Sequence, residues 1–299
     1  MRLFLDCYPC ILRQALTLAR LMGLGQAQTK ATVDNTLRLL LNADPGSSPP
    51  QVMTAVYQQV EEDFFTSRDR EDGTFDPYAK MKRDSNRIVL EHLDELEASV
   101  RTADSPLEMG IRLAAAGNII DFAAADHGSV DIPAEIRGIP VLSFAIYDIE
   151  PLLYGLETAK TLVYVGDNAG EIVFDRVFIR QLQRDYPELD VVFATRERPI
   201  INDVTVDDAH DVGMDVEATV VSSGCPYPGL VLSAASEGFR RTYDGADVVI
   251  AKGQGNYEGL CETADERLFH IFRVKCERVA ELTSAPVGAL VLEQSRRSA

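Results

Sequence analysis

Tryptophan is absent from this chain, and histidine occurs only at 92, 127, 210 and 270, scattered singly. A zinc hydrolase needs clustered ligands and a Ser-His-Asp enzyme a placed imidazole, so neither reading finds support. Basic residues are also short: 29 Lys and Arg stand against 47 Asp and Glu, a net charge of −18. Nucleic acid and anionic membrane both favour a basic footprint, and neither is expected as a partner. No apolar run reaches the roughly 18 residues of a spanning helix. The opening Met1-Arg2-Leu3-Phe4-Leu5-Asp6 meets charge too soon for a signal peptide. Five cysteines, an odd count, fit a reducing compartment, and a cytoplasmic location is expected. No Gly-x-Gly-x-x-Gly follows the first strand, so the dinucleotide fingerprint is missing. Internal repeats and low-complexity segments are likewise missing.

What is present is a chain of 299 residues, 46% hydrophobic and 25% charged, enough for one large or two ordinary domains with a substantial core. Its first part reads as helical. Cys7-Tyr8-Pro9-Cys10 opens an amphipathic helix, Ala31–Leu41 forms a second, and Pro50–Phe65 a third with Val52, Val56, Val60 and Phe64 four apart. A charged loop runs from Ser67 to Thr74; helices follow over Ile88–Val100 and Pro106–Ala116. From about 130 strands alternate with helices. The strands are expected at Pro140–Phe144, Leu162–Val165, Val191–Ala194, Ala218–Ser222, Val248–Ala251 and Val287–Val291. The helices are expected at Ile149–Lys160, Ile172–Tyr186, Leu230–Tyr243 and Leu260–Leu282, the last either continuous or broken. Buried strands alternating with helices imply an α/β fold with a largely parallel sheet covered on both faces. The expected division is a helical region over 1–128 and an α/β domain over 129–299.

The most informative stretch is Leu162-Val163-Tyr164-Val165-Gly166-Asp167-Asn168-Ala169-Gly170-Glu171. A short apolar strand runs into a Gly-bounded turn and then a helix, and parallel sheets place ligands at such strand ends. A carboxylate beside a carboxamide offers hard oxygen to Mg²⁺ or Mn²⁺; equally, Asp167 and Asn168 serve as helix caps. Asp203, after the next strand, would add a third oxygen or cap Val204–His210. Lys252 in Ala251-Lys252-Gly253-Gln254-Gly255-Asn256 suits an anion, without the terminal Gly-Lys-Ser/Thr of a Walker loop. Lys275, between apolar neighbours, either snorkels or meets an anionic ligand. Cys7 and Cys10 make a single Cys-x-x-Cys, open to packing, metal binding or redox chemistry.

Taken together, these residues resemble the damage-control phosphatase family, also known as domain of unknown function 89. The matching motifs are Cys7-x-x-Cys10, Asp76-Pro77-Tyr78, Gly117-Asn118-x-x-Asp121, Gly166-Asp167-Asn168-Ala169-Gly170-Glu171, Asn202-Asp203-Val204-Thr205, Lys252-Gly253-x-Gly255-Asn256-x-Glu258 and Lys275-Cys276. The Cys-x-x-Cys version is similar to the stand-alone prokaryotic branch. The resemblance implies a three-layer α/β/α, Rossmann-like, mostly parallel sheet with an N-terminal all-helical region. It implies a divalent metal (Mn²⁺, Co²⁺, Ni²⁺ or Mg²⁺) held by Asp167, Asn168 and Asp203. It further implies Lys252, Asn256 and Lys275 at the substrate phosphate, with Glu171 and Glu258 lining the site. Arg273, two before Lys275, departs from the Arg-Thr-x-Lys pattern of other branches. The expected activity is hydrolysis of small phosphometabolites, either sugar phosphates or damaged cofactor and nucleotide phosphates. Asp203 and Glu171 are the candidates for the general base. The rival readings are a carboxyl methyltransferase and a non-catalytic metal- or metabolite-binding protein.

Overall fold

In the computed structural model, which describes residues 1–44, 46–65, 75–117 and 137–295, Leu162 and Tyr164 enter one hydrophobic cluster while Val163 and Val165 enter another. Successive residues of a strand face opposite sides, so this segment is buried on both faces and must lie inside a sandwich of helices. Val248 and Ile250, against Val249 and Ala251, divide in the same way.

The strands are β1 (Phe144–Tyr147), β2 (Thr161–Val165), β3 (Asp190–Thr195), β4 (Thr219–Ser222), β5 (Val248–Lys252), β6 (Leu268–Arg273) and β7 (Leu290–Gln294). They form one sheet in the order β1-β7-β6-β5-β2-β3-β4. All neighbours are parallel except β6 and β7, so β1 and β7 run against the other five. The fold is the expected α/β class with a mostly parallel sheet.

Before the sheet come α1 (Cys7–Leu21), α2 (Gln26–Leu41), α3 (Pro49–Phe64), α4 (Ala79–Leu90), α5 (Leu93–Arg101) and α6 (Pro106–Gly117). Between the strands lie α7 (Ile149–Thr158), α8 (Glu171–Asp185), α9 (Val206–Asp211), α10 (Glu237–Gly245), α11 (Gly253–Leu260) and α12 (Glu277–Thr283). Ser48 with Gln51 forms a capping box at the start of α3, with Pro49 and Pro50 in its first turn, and Thr205 with Asp208 forms a capping box for α9. Helices α5 and α6 share a core with α8 and one sheet face, through Leu96, Val100, Ile111 and Leu113. Tyr164, Phe174, Phe178 and Phe193 are wholly buried there. Each such side chain contributes on the order of 1.5–3 kcal/mol. Helices α1 and α3 build a separate cluster with Phe75, Tyr78 and Ile200, which brings the N-terminal helices to the loop after β3.

Several expectations are corrected: α10 opens at Glu237 rather than Leu230, β7 at Leu290 rather than Val287, and two further segments differ in kind. Leu260–Leu282 is not one helix: Leu268–Arg273 is strand β6, a central member of the sheet. Its residues Leu268, Phe269, His270, Ile271 and Phe272 are buried on both faces, so the run carries no period-two signal to separate it from a buried helix. Pro140–Phe144 is not a strand either; β1 starts at Phe144. The division expected at 128/129, the loop 67–74, and Asn118 and Asp121 lie outside the described residues. No helix among the described residues is long and apolar enough to cross a membrane.

Candidate active site

The chain runs outward from β2 to β3 and β4, then returns to β5 on the other side of β2. Loops leaving β2 and β5 therefore diverge, and a crevice opens at their carboxyl ends. Asp167 and Asn168 follow β2, Asp203 lies in the loop after β3, and Gly253 follows β5 directly. The β3 loop folds back onto the β2 loop: Ala169 N–H donates to Asn202 O at 3.0 Å and Val204 N–H to Asp167 O at 2.9 Å. An isolated antiparallel bridge pairs Asn168 with Asp203. These main-chain contacts bring the three expected metal residues into one wall.

That wall belongs to a cavity of about 480 Å³. Asp167, Asn168, Glu171 and Asp203 line one part of it, and Gln254, Glu258 and Lys275 another. Helix α1 closes the remaining side with Cys10, Arg13, Gln14 and Thr17, spaced as one helical face requires, helped by Met53 and Tyr78. Asn168 Nδ2 donates to Asp167 Oδ2 at 2.7 Å and to Glu171 Oε1 at 3.0 Å. Gly170, at φ +83°, makes the turn into α8, and its N–H donates to Asn86 Oδ1 of α4.

Electrostatically the wall is overloaded with negative charge. Burial, with the Glu171 and Asp203 carboxylates nearby, holds the Asp167 carboxyl well above the usual range against Lys275 and Arg196. Burial raises Asp203 as well, although Arg196 opposes it. Arg196 is buried beneath this wall: its Nε donates to Asp203 Oδ2 at 2.7 Å, and its Nη2 lies 3.9 Å from Asp167 Oδ1. Arg196 is not among the residues that the sequence marks as functional. Its only trace was a charged residue directly after the apolar strand β3. Asn86 and the bridge from Lys82 Nζ to Asp76 and Asp208, both at 2.7 Å, were also missed. That bridge ties α4 to the segment carrying Asp203, and nothing in local spacing announces it.

Of the four residues expected at the substrate, Glu258 and Lys275 line the cavity, but Lys252 and Asn256 do not. Lys252 is fully buried; its Nζ donates to Asp175 Oδ1 at 2.7 Å and lies 3.8 Å from Glu171 Oε2. Burial works against the Lys252 ammonium, but Asp175 and Glu171 outweigh it and raise its pKa above the ordinary value. Asn256 is fully buried too, and its hydrogen-bonding capacity is taken by protein. Nδ2 donates to Gly166 O and Lys252 O; Oδ1 accepts from Leu230 N–H and Arg196 Nη2. It ties the β2, β5 and Leu230 segments together behind the wall. Arg273 turns away, donating from Nε to Gly288 O.

Gly253 sits at φ +78°, and a Cβ there would lie 1.8 Å from Asp167 Oδ2. Gly253→Ala is therefore expected to displace Asp167 and cut turnover at least about tenfold, in line with the cost of a roughly 1 Å misplacement at a reacting centre. Steady-state kinetics beside a thermal melt checks this.

Glu258 is half-buried, and desolvation pushes its carboxyl up to about 7 from an ordinary 4.5. Below pH 4.5 it is protonated folded or unfolded, with no effect on stability. Between 4.5 and 7 only the unfolded chain gains by ionising, so folding stability falls as pH rises through that window. Glu258→Gln should therefore stabilise the protein at pH 8, by roughly 1–3 kcal/mol after allowing for solvent screening, and leave it unchanged at pH 4. Urea titrations at the two pH values read the difference.

Of the two thiols of Cys-x-x-Cys, Cys10 lines the cavity. Burial raises Cys7 to about 11 and raises Cys10 too, so neither is an activated thiolate.

Residues 3–291 match the family described as the damage-control phosphatase ARMT1-like domain. An uncharacterized protein of Methanocaldococcus jannaschii is 31% identical over 294 residues, 96% of this chain and 93% of the relative. A damage-control phosphatase of Pyrococcus horikoshii is 33% identical over 224 residues, 75% of this chain and 76% of the relative. The crystal structure of a DUF89 family protein from Pyrococcus horikoshii superposes with a TM-score of 0.88 at 27% identity, covering 99% of this chain and 100% of that one. With the family's match spanning nearly its whole length, this chain belongs to the damage-control phosphatase ARMT1-like domain family.

Proposed function

We propose that this protein is a divalent-metal-dependent phosphatase acting on phosphomonoesters of small metabolites. The observation that carries the reading is the convergence of Asp167, Asn168 and Asp203 in one cavity wall, with Lys275 lining the same cavity. The names of the relatives from Pyrococcus horikoshii and Archaeoglobus fulgidus, both damage-control phosphatases, support it.

The donors suit a hard cation. Two carboxylates and a carboxamide supply oxygen only, as Mg²⁺ and Mn²⁺ prefer. Asp167 and Asp203 are both buried and pushed toward protonation, and a divalent cation relieves that burden. Among the described residues no three His, Cys, Asp or Glu side chains gather as a ligand set, so the Asn168 carboxamide, substrate and water would complete the shell. When bound, the metal supplies Lewis-acid polarisation of the phosphoryl group and activation of water.

The chain's own residues do the rest. Lys275 places its ammonium on the phosphoryl group and stabilises charge there. Glu171, held by Asn168, stands beside the wall as a proton acceptor for the attacking water. Arg196 fixes the Asp203 carboxylate from behind through Nε. Arg13, Met53 and Tyr78 leave room for the organic part of a small ester. Lys252 and Asn256 hold these elements in place from beneath.

The test is a screen of sugar and nucleotide phosphates after chelation, with Mn²⁺, Co²⁺, Ni²⁺ or Mg²⁺ restored in turn. A parallel arm offers S-adenosylmethionine and a carboxylate acceptor. Phosphate release should vanish on chelation and return with metal. Lys275→Ala should raise KM about tenfold or more while leaving the metal isotherm intact, since it removes a charge-assisted contact and no ligand. Metal-independent phosphate release, or methyl transfer without it, would overturn the reading.

A further inference from the structure

Phosphoryl transfer places the attacking and leaving oxygens roughly in line, on opposite sides of phosphorus. A base for the water and an acid for the leaving oxygen therefore belong on opposite sides of the bound ester. Glu171, held by Asn168, is the proton acceptor on the metal wall. Among the described residues that line the cavity, Asp167, Glu171 and Asp203 belong to that wall, and the one remaining carboxyl is Glu258 of α11.

Glu258 is aimed by a neighbour. Gln254, one turn earlier on the same helical face, donates from Nε2 to Glu258 Oε1 at 2.9 Å. Its own Oε1 accepts from Lys275 N–H at 2.8 Å. One side chain thus ties the Glu258 carboxyl to the residue whose ammonium meets the phosphoryl group. The bond from Gln254 occupies Oε1, while Oε2 has no partner among the described residues. A neutral carboxyl can therefore carry its proton on Oε2.

The groups facing Glu258 come from every element packed there. They are Cys7 and Cys10 of α1, Lys275 and Cys276 after β6, and Cys261 next to α11. Arg13 lines the same cavity. The Met1 ammonium donates to Glu258 O at 2.6 Å and lies 3.7 Å from Glu262 Oε1. Burial pushes the carboxyl up to about 7 against Gln254, the Met1 ammonium and Lys275. A group that exchanges its proton near neutrality suits general acid work.

We propose that Glu258 is the general acid of the reaction and gives its proton to the ester oxygen as the bond from that oxygen to phosphorus breaks. The proposal rests on the phosphatase reading and adds a substrate class to it: esters of aliphatic alcohols, whose alkoxides leave poorly unless protonated. Water bonds to phosphorus and loses one proton to Glu171. The ester oxygen keeps the electron pair of the broken bond, takes the Glu258 proton and departs in the alcohol. Glu171 and Glu258 return to their starting forms by proton exchange with solvent once the products leave.

The test compares two esters with the metal-loaded full chain. Glycerol 2-phosphate releases a strongly basic alkoxide; p-nitrophenyl phosphate releases a weakly basic phenolate that needs no acid. Glu258→Gln keeps an oxygen for Gln254 and has no proton to give. Its kcat should fall at least about a hundredfold more with glycerol 2-phosphate than with p-nitrophenyl phosphate. In the wild type, kcat with glycerol 2-phosphate should decline as pH rises above about 7, a limb the variant should lack. Glu258→Asp restores a carboxyl on a shorter stem and should recover part of the difference between the esters. Both variants should keep the Mn²⁺ isotherm, since Glu258 is no ligand. Equal losses with the two esters, a limb that survives in Glu258→Gln, or lost Mn²⁺ binding would overturn the proposal and leave the phosphatase reading standing. Failure of the wild type to release phosphate from either ester with Mn²⁺, Co²⁺, Ni²⁺ or Mg²⁺ would overturn both.

Discussion

Asp167→Asn and Asp203→Asn are each expected to lower turnover by at least about a hundredfold, with loss of bound metal and no loss of fold. The change keeps shape and removes a charge. A bound divalent cation contributes several kcal/mol of transition-state stabilisation, and about 1.4 kcal/mol is a factor of ten. Folding should survive because both side chains sit in loops at the cavity wall rather than in the aliphatic core. Burial and like charge already destabilise the ionised Asp167 carboxyl in the metal-free protein. Neutralising it removes an unfavourable interaction, so Asp167→Asn should melt no lower than wild type without metal. Asp203→Asn retains an oxygen for Arg196 Nε but loses the charge that Nε now faces at 2.7 Å, so a small drop in stability is expected. Metal content after gel filtration, kcat, and melting with and without chelator separate these effects. Variants that hold a full equivalent of metal at wild-type affinity would refute the ligand assignment. Wild-type turnover in chelator would refute metal dependence altogether.

Much of this site was legible because its parts are local. The turn from β2 into α8 is one continuous stretch, and Gly166 to Glu171 announce a polar strand end, of the kind where parallel sheets place ligands, without any tertiary information. Asp203 was legible for the same reason, one strand later. Lys275 lines the cavity, but it follows strand β6 rather than lying in the helix that the sequence suggests over Leu260–Leu282. What stayed hidden depends on contacts remote in sequence. Asn86 and Gly170 are 84 residues apart, Lys82 and Asp208 are 126 apart, and Arg196 and Asn256 are 60 apart. A strand buried on both faces, such as β6, has no alternation to read. A residue such as Asn256 carries chemistry suited to a ligand and yet spends its donors and acceptors on the scaffold. Sequence identifies the group that is available; burial decides whether water or substrate reaches it.

Lys252→Met is the variant for which that difference matters most, and its main effect is expected on stability. Lys252 Nζ is fully enclosed, 2.7 Å from Asp175 Oδ1 and 3.8 Å from Glu171 Oε2, and Tyr164 OH donates to the same Asp175 oxygen at 2.7 Å. Removing the ammonium leaves Asp175 in the core with its countercharge gone and Glu171 deprived of support. Deleting one partner of a buried ion pair costs about 3–5 kcal/mol, because the remaining charge is uncompensated. The urea midpoint should fall accordingly. Lys252→Met combined with Asp175→Leu replaces the pair with apolar groups and should recover most of that loss. Such replacements are often close to neutral. A deficit of about 1–3 kcal/mol should remain, because Tyr164 OH then lacks its acceptor. The double variant also tests the role in catalysis. If Lys252 acts from beneath the wall by holding the start of α8, the double variant should bind substrate with a KM near wild type despite lacking the lysine. If the Lys252 ammonium instead reaches the phosphate, Lys252→Met should unfold at the wild-type urea concentration, and both variants should show the same large rise in KM.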